Sequence, residues 1–371
     1  MSGRDFIAHH VHGIDTSGIR KVFDLGATLP DPINFSIGQP DYPVPQGVKR
    51  SMIRAIESDQ NGYTVTRGLP ELRESIAASL RREFDWNPDV FITSGVSGGL
   101  FLVLSACVNP GEEVLIGDPS FVSYRHLVRM THGVPRLVRL YDDFQLHPER
   151  FAAAATPKTK MIVTGSPGNP TGIVFKEADV AALADLARKR DLLIVSDEIY
   201  HTLSYDGPVC SPARFAPERT IVLRGFGKSH AMTGLRIAYA AGPTEIITEM
   251  AKLQQYTYVC APHPAQHGAL TAMDTDTSAQ LAAYRAKRDL VCRELEGAFD
   301  FQRPSGGFYL FPKAPPRFET ASAFVAEAIR HNVLVIPGEV FGTQDTHFRI
   351  SYAVPDAKIR EGCGLLRSLA R

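Results

Sequence analysis

Arg224-Gly225-Phe226-Gly227-Lys228-Ser229-His230-Ala231-Met232-Thr233-Gly234-Leu235-Arg236 follows the apolar run Thr220-Ile221-Val222-Leu223, which has the texture of a short buried strand. Lys228 lies just past that strand, among glycines and small polar residues. A lysine in such a place sheds its proton readily and acts as an amine nucleophile. Eight positions on, Arg236 opens another apolar run, and its rigid fork of donors suits a phosphate. An amine beside a phosphate clamp points to a cofactor carrying an aldehyde and a phosphate. The plain alternative is a loop lysine with a solvated head, and the rest of the chain decides between the two.

Upstream, the same pattern of apolar strand and polar follower recurs. Val90–Thr93 reads as a strand that runs into Ser94-Gly95-Val96-Ser97-Gly98-Gly99 and then an apolar helix from Leu100. A strand, a small-residue turn and a helix N-terminus make an anion site, because backbone N–H groups and the helix dipole converge there. Glu113–Ile116 runs into Asp118-Pro119-Ser120-Phe121, Lys160–Val163 into a loop holding Asn169, and Leu192–Val195 into Ser196-Asp197-Glu198-Ile199-Tyr200. Helices are predicted over Gln46–Ser58, with Val48, Met52, Ile53 and Ile56 on the apolar face, from Gly68 to about Phe84, and over Glu177–Arg190. Short apolar strands alternating with helices predict an α/β domain on a mostly parallel sheet. Ligands bind outside the carboxyl ends of such strands. Asn169, Asp197 and Lys228 each follow a different strand, so three chemistries are predicted to meet in one site. Near the start, Asn34–Pro40 is a short apolar segment broken at Gly38 and Pro40, and Pro43 and Pro45 stiffen the loop beyond it.

After about Pro262 the texture changes. A helix is predicted over Ala279–Phe299, a strand over Gly306–Phe311, a helix over Ala321–His331 and a strand over Val333–Ile336. Phe348–Ala353 alternates like a strand of an antiparallel sheet, and a helix closes the chain from about Asp356 to Leu369. This is a second, smaller α+β domain. The expected division is residues 1–45 as an N-terminal arm and part of the small domain, 46–278 as the large cofactor-binding domain, and 279–371 as the small C-terminal domain.

Composition narrows the class. Lys plus Arg equals Asp plus Glu at 40 each in 371 residues, so no bulk field favours nucleic acid or an anionic membrane. Five scattered cysteines form no CxxC pair, which argues for a reducing compartment and against a zinc knuckle. No apolar run approaches the roughly 20 residues that span a bilayer, and residues 1–13 carry no signal core, so the cytoplasm is expected. His9, His10 and His12 lack carboxylate or cysteine partners nearby and read as an N-terminal arm, with no metal expected.

Taken in order, IGQPDYPVP from Ile37, GYTVTRGLPELRESIA from Gly62, GVSGG from Gly95, SPGNPTG from Ser166, SDEIY from Ser196, GKSHAMTGLR from Gly227, PGEVFG from Pro337 and FRISYA from Phe348 resemble the fold-type I, pyridoxal-phosphate-dependent aminotransferases of class I/II, the aspartate aminotransferase-like group. The resemblance implies a large domain with a mostly parallel sheet flanked by helices plus a smaller α+β domain. It implies that Lys228 holds the cofactor as a Schiff base and then carries a proton, through a carbanion or quinonoid intermediate, while an amino group moves from an L-amino acid to a 2-oxo acid. Asp197 is expected at the pyridine nitrogen, Asn169 and Tyr200 at the phenolic oxygen, and Phe121 on the ring face. The amides of Gly95, Val96 and Ser97, with Arg236, are expected at the phosphate. Arg349 should clamp the substrate α-carboxylate, helped by the Gly38 backbone. Tyr63 should reach the phosphate of a partner subunit, which implies a homodimer.

One position departs from that family. Three residues before the lysine it usually has a phosphate-binding serine, and here stands Gly225. Ser97, Ser229 or a water could supply the missing bond; if nothing does, its loss costs about 1.5–3 kcal/mol of cofactor affinity, and Gly225→Ser is expected to tighten cofactor binding. The same Lys–Asp–Arg set also serves a C–S β-lyase. A transcription regulator on this fold would carry a DNA-binding domain ahead of it, and only about thirty residues precede the first motif. Substrate choice stays open. A dicarboxylate needs a second cation, for which Arg20, Lys21, Arg67 and His230 are candidates, whereas an apolar or aromatic substrate needs a pocket to which Ile19, Tyr63 and Phe121 would contribute.

Overall fold

A computed structural model describes residues 6–371, so residues 1–5 of the expected arm lie outside it. A seven-stranded sheet organises the larger part. Across it lie Asp89–Thr93, Ala238–Gly242, Thr220–Gly225, Leu193–Asp197, Thr159–Gly165, Glu113–Asp118 and Val134–Arg139. Ala238–Gly242 runs antiparallel to both its neighbours, and the other neighbouring pairs are parallel. The inner strands are buried on both faces, which is why they read as unbroken Val/Ile/Leu runs. Helices Gly95–Cys107, Pro70–Phe84, Glu177–Arg190 and Thr244–Gln255 cover the sheet.

The smaller part is α+β. Ile336–Pro337, Phe348–Ser351 and Tyr309–Leu310 form an antiparallel sheet under helices Ser278–Leu295, Ala321–Arg330 and Asp356–Ala370. Its core gathers Phe35, Tyr284, Phe308, Phe324 and Phe348. Ile33–Asn34 pairs in parallel with Val333–Leu334, so the chain enters through the smaller part before building the larger one. No helix among the described residues is long and apolar enough to cross a membrane.

Several expectations change in detail. The turn from Ser94 is shorter than expected, because the helix already begins at Gly95. The predicted strand Val333–Ile336 is two short strands that pair with different partners on either side of Val335. Phe348–Ser351 is buried at every residue rather than on alternate ones, since helices cover one face and an interior cavity takes Arg349 on the other. Ile53 and Ile56 are 52% and 53% exposed and lie off the core face of Gln46–Glu57, which buries Val48 and Ala55. Sequence pattern does not mark the strands Val134–Arg139 and Ala238–Gly242. The first is a half-exposed edge interrupted by Pro135, and the second is an Ala/Gly run with little β propensity.

Candidate active site

The carboxyl edge of the sheet brings the expected residues together around a cavity of about 280 Å³ lined by Gly95, Phe121, Asn169, Asp197, Lys228 and Arg349, among others. Asp197 ends one strand, Asn169 follows the next, and Lys228 sits three residues past Gly225 on the other side. Arg236 arrives by a different route. It immediately precedes the antiparallel strand, whose start lies at this same edge because Ala238 pairs with Gly225. That reversal is what folds Arg236 back towards Lys228.

The end of the cavity expected to take the phosphate is formed by the helix start at Gly95 and by Arg236. Gly95 opens its helix at φ +75°, a left-handed conformation that suits glycine, and a Cβ there would run into the Arg236 guanidinium. Arg236 is held by a bond from Nη1 to the Thr233 carbonyl at 3.0 Å. Val96 and Ser97 line the same end, with Ser97 exposed.

Lys228 Nζ donates to the Gly38 carbonyl and lies 6.0 Å from the centres of the Tyr200 and Phe308 rings. Burial pushes its ammonium pKa down to about 8, with the Arg349 and Arg236 charges adding to the effect and Asp197 opposing it. Asp197 accepts from the Tyr124 hydroxyl at 2.8 Å and from the Ile199 amide at 3.2 Å. Burial raises its carboxyl to about 6, against those two bonds. Tyr200 exchanges a hydrogen bond of 2.9 Å with Tyr309, and burial holds its phenol well above the usual range.

Arg349 is 1% exposed. Its Nη1 donates to Asn169 Oδ1 at 2.9 Å, its Nη2 donates to the Ser36 carbonyl, and its Nε has no partner. The guanidinium lies over the rings of Tyr309 and Phe341, at 4.5 and 4.8 Å. Among the described residues, neither Arg349 nor Arg236 forms an ion pair with a carboxylate. A buried guanidinium without a counter-charge is costly, so a cleft holding one is built to receive an anion. Directly after Asp197 in the chain, Glu198 joins Glu83 in holding Arg224 at 2.6–2.8 Å.

Tyr63 stands apart. It is 83% exposed and does not line this cavity. Three residues with contacts in the site are not singled out by sequence reasoning. Tyr124 lies three residues past Phe121, at the start of the helix Ser123–Met130, and meets its ring edge-on. Tyr309 follows the Gly306-Gly307 pair. Tyr42 ties the N-terminal loop to the Lys228 carbonyl at 2.8 Å, and nothing local in the sequence marks that contact.

A lysine of lowered pKa, a buried aspartate and Arg236 at the carboxyl edge of a mostly parallel sheet face Arg349 from the smaller sheet, and neither arginine has a carboxylate partner among the described residues. The chain belongs to the aminotransferase class I and II family, whose model matches residues 30–366. It is 37% identical to the putative aminotransferase YugH of Bacillus subtilis over 96% of both chains. It is 34% identical to a probable aspartate aminotransferase of Methanocaldococcus jannaschii, over 98% of this chain and 99% of that one. The solved aspartate aminotransferase from Thermus thermophilus with maleate superposes with a TM-score of 0.95, at 34% identity and full coverage of both chains. The protein is an aminotransferase, moving an amino group from an amino acid to a 2-oxo acid.

Proposed function

We propose that the cofactor is pyridoxal 5′-phosphate and that the cleft residues take the roles their positions suit. The donor set fits that group. The amine of Lys228 would carry the aldehyde, Asp197 would face the pyridine nitrogen, and Asn169 and Tyr200 the phenolic oxygen. Asn169 Oδ1 accepts from Arg349, which leaves its amide N–H groups free to donate. Phe121 would lie on the ring face, and the amides of Gly95, Val96 and Ser97, with Arg236, would hold the phosphate. When bound, the group supplies an electron sink for a carbanion at the substrate Cα.

The chain's own groups do the rest. Arg349 binds the α-carboxylate in a bidentate pair, replacing the counter-charge its burial lacks. Lys228, with a pKa near 8, is poised to take the Cα proton and return it. Asp197, whose carboxyl burial raises to about 6, would in its ionised form favour a proton on a ring nitrogen held beside it. The single observation that carries this reading is the unpaired, buried Arg349 sharing one cavity with a lysine of lowered pKa.

The exposure of Tyr63, with Ile53, Ile56 and Tyr256 also open to solvent, supports a homodimer in which Tyr63 completes the partner's site. Domain boundaries after residues 45 and 278 suit the two cores, and five free cysteines suit a reducing compartment such as the cytoplasm. The experiment is titration of the protein with pyridoxal phosphate, followed by a half-reaction with amino donors. Visible absorbance should appear with wild type and be lost in Lys228→Ala. Release of a 2-oxo acid with an aminated cofactor identifies transamination, whereas pyruvate plus a thiol from a cysteine thioether identifies a β-lyase. No absorbance with wild type, or full activity in Lys228→Ala, overturns the reading.

A further inference from the structure

Several relatives are named for aspartate, whose side-chain carboxylate must be met by a cation once it leaves water. Three cations line the cavity, and each already has its place: Lys228 at the reacting centre, Arg236 against Gly95, and Arg349 with Asn169. The four other candidates lie elsewhere. Arg20 is exposed and sits 5.4 Å over the Phe23 ring. Lys21 is exposed and does not line the cavity. Arg67, close to Tyr63 in sequence, is held by Asp89 at 2.6 Å and Thr248 at 2.7 Å. His230 is buried against Phe226 and bonded to Ser229 at 2.8 Å.

The wall beyond Arg349 is apolar instead. Ile19, on the helix Gly18–Gly26, lines the cavity and packs on the cluster that contains Phe341, the ring stacked on Arg349. Its place is fixed from below, because Gly18 lies so close to Val340 that a Cβ would strike it. Within its own subunit, a substrate held by its α-carboxylate at Arg349 therefore meets Ile19 and the Tyr309 ring rather than a further charge.

We propose that the site takes an amino acid with a neutral apolar side chain, branched aliphatic or aromatic, in preference to aspartate or glutamate, and that Ile19 is the residue that sets this choice. The inference rests on Arg349 receiving the α-carboxylate. A pocket of this kind discriminates on the order of 10–200-fold per apolar group gained or lost. A carboxylate buried without a partner loses more.

The test has two arms. In the first, loaded enzyme meets leucine, phenylalanine, aspartate and glutamate in single turnover. Leucine and phenylalanine should exceed the two acids in kcat/KM by about tenfold or more, and Ile19→Lys should move the ratio towards aspartate by at least a similar factor. A ratio between two donors does not depend on the fraction of enzyme folded. In the second arm, calorimetry compares the unreactive 3-phenylpropionate with maleate, and the apolar monocarboxylate should bind more tightly. Aspartate or glutamate reacting as well as the apolar donors, or maleate binding as tightly, overturns the inference. If no amino acid reacts, the proposed function fails, and the binding arm decides the pocket by itself.

Discussion

The Tyr124 hydroxyl donates to Asp197 Oδ2 across 2.8 Å, in a setting closed to water. A donor aimed at a carboxylate favours the charged form, and burial of that carboxylate opposes it. Burial wins, since the Asp197 carboxyl is raised to about 6 despite the phenol. Without the phenol the remaining balance tilts further towards the neutral acid. Tyr124→Phe should therefore move the Asp197 titration of the cofactor-free protein upward from about pH 6, by roughly one unit if the bond contributes 1.5 kcal/mol or so, and the acid limb of the kcat/KM profile in the same direction. Activity on the plateau well above that limb should fall less than activity at pH 6. A limb that stays where it was in the variant would show that the phenol does not act through Asp197.

The obstacle at Gly225 is space rather than backbone conformation. The residue is extended, with φ −173°, a geometry open to any side chain. A Cβ built there would lie 2.7 Å from Ala238 Cβ, 3.0 Å from Ala238 Cα and 3.2 Å from the Ile237 carbonyl oxygen. These atoms belong to the paired strand and its approach, where Gly225 and Ala238 are direct partners, so they cannot swing aside. The expectation that a serine here would tighten cofactor binding is thereby reversed. Gly225→Ser should destabilise the protein by about 1–3 kcal/mol, as overpacking does, and leave the cofactor dissociation constant unchanged or weaker. Thermal melting and a pyridoxal phosphate titration measure both. Adding Ala238→Gly should recover part of the lost melting temperature, because it removes the nearest colliding atom.

Much of the site was legible because its residues sit at fixed offsets from strands that announce themselves by unbroken apolar runs. Asp197, Asn169 and Lys228 follow three such runs, and the structure gathers them in one cavity. Arg349 was harder. Its strand reads as alternating, yet every residue is buried, and only the packed smaller core and the cleft together explain that. The antiparallel Ala238–Gly242 left little trace, since alanine and glycine have no β texture of their own and the strand is specified by its neighbours. Tyr309 and Tyr42 act through contacts more than 100 positions away in sequence, with Tyr200 and the Lys228 backbone respectively, so no local pattern encodes them. Ile53 and Ile56 obey helical periodicity but face solvent, because periodicity reports an apolar face and not what covers it.

Arg224 offers a last test, because it couples stability to the site. Its Nε bonds Glu198 at 2.8 Å, its two terminal nitrogens bond Glu83 at 2.6 and 2.8 Å, and Ser196 completes Glu198 with a bond of 2.8 Å. Arg224 and Glu198 are both buried, so removing the guanidinium strands a carboxylate with no counter-charge. Arg224→Leu should cost about 3–5 kcal/mol in urea unfolding of the cofactor-free protein, the range for breaking a buried pair. Arg224→Leu with Glu198→Gln should recover much of that, because the stranded charge is gone. A second readout separates this from general damage. Glu198 adjoins Asp197 and already pushes its carboxyl up. With Arg224 removed that push is uncompensated, so the acid limb of kcat/KM should rise in the single variant and return in the double one. Equal limbs in the two variants would confine the cluster to a structural role.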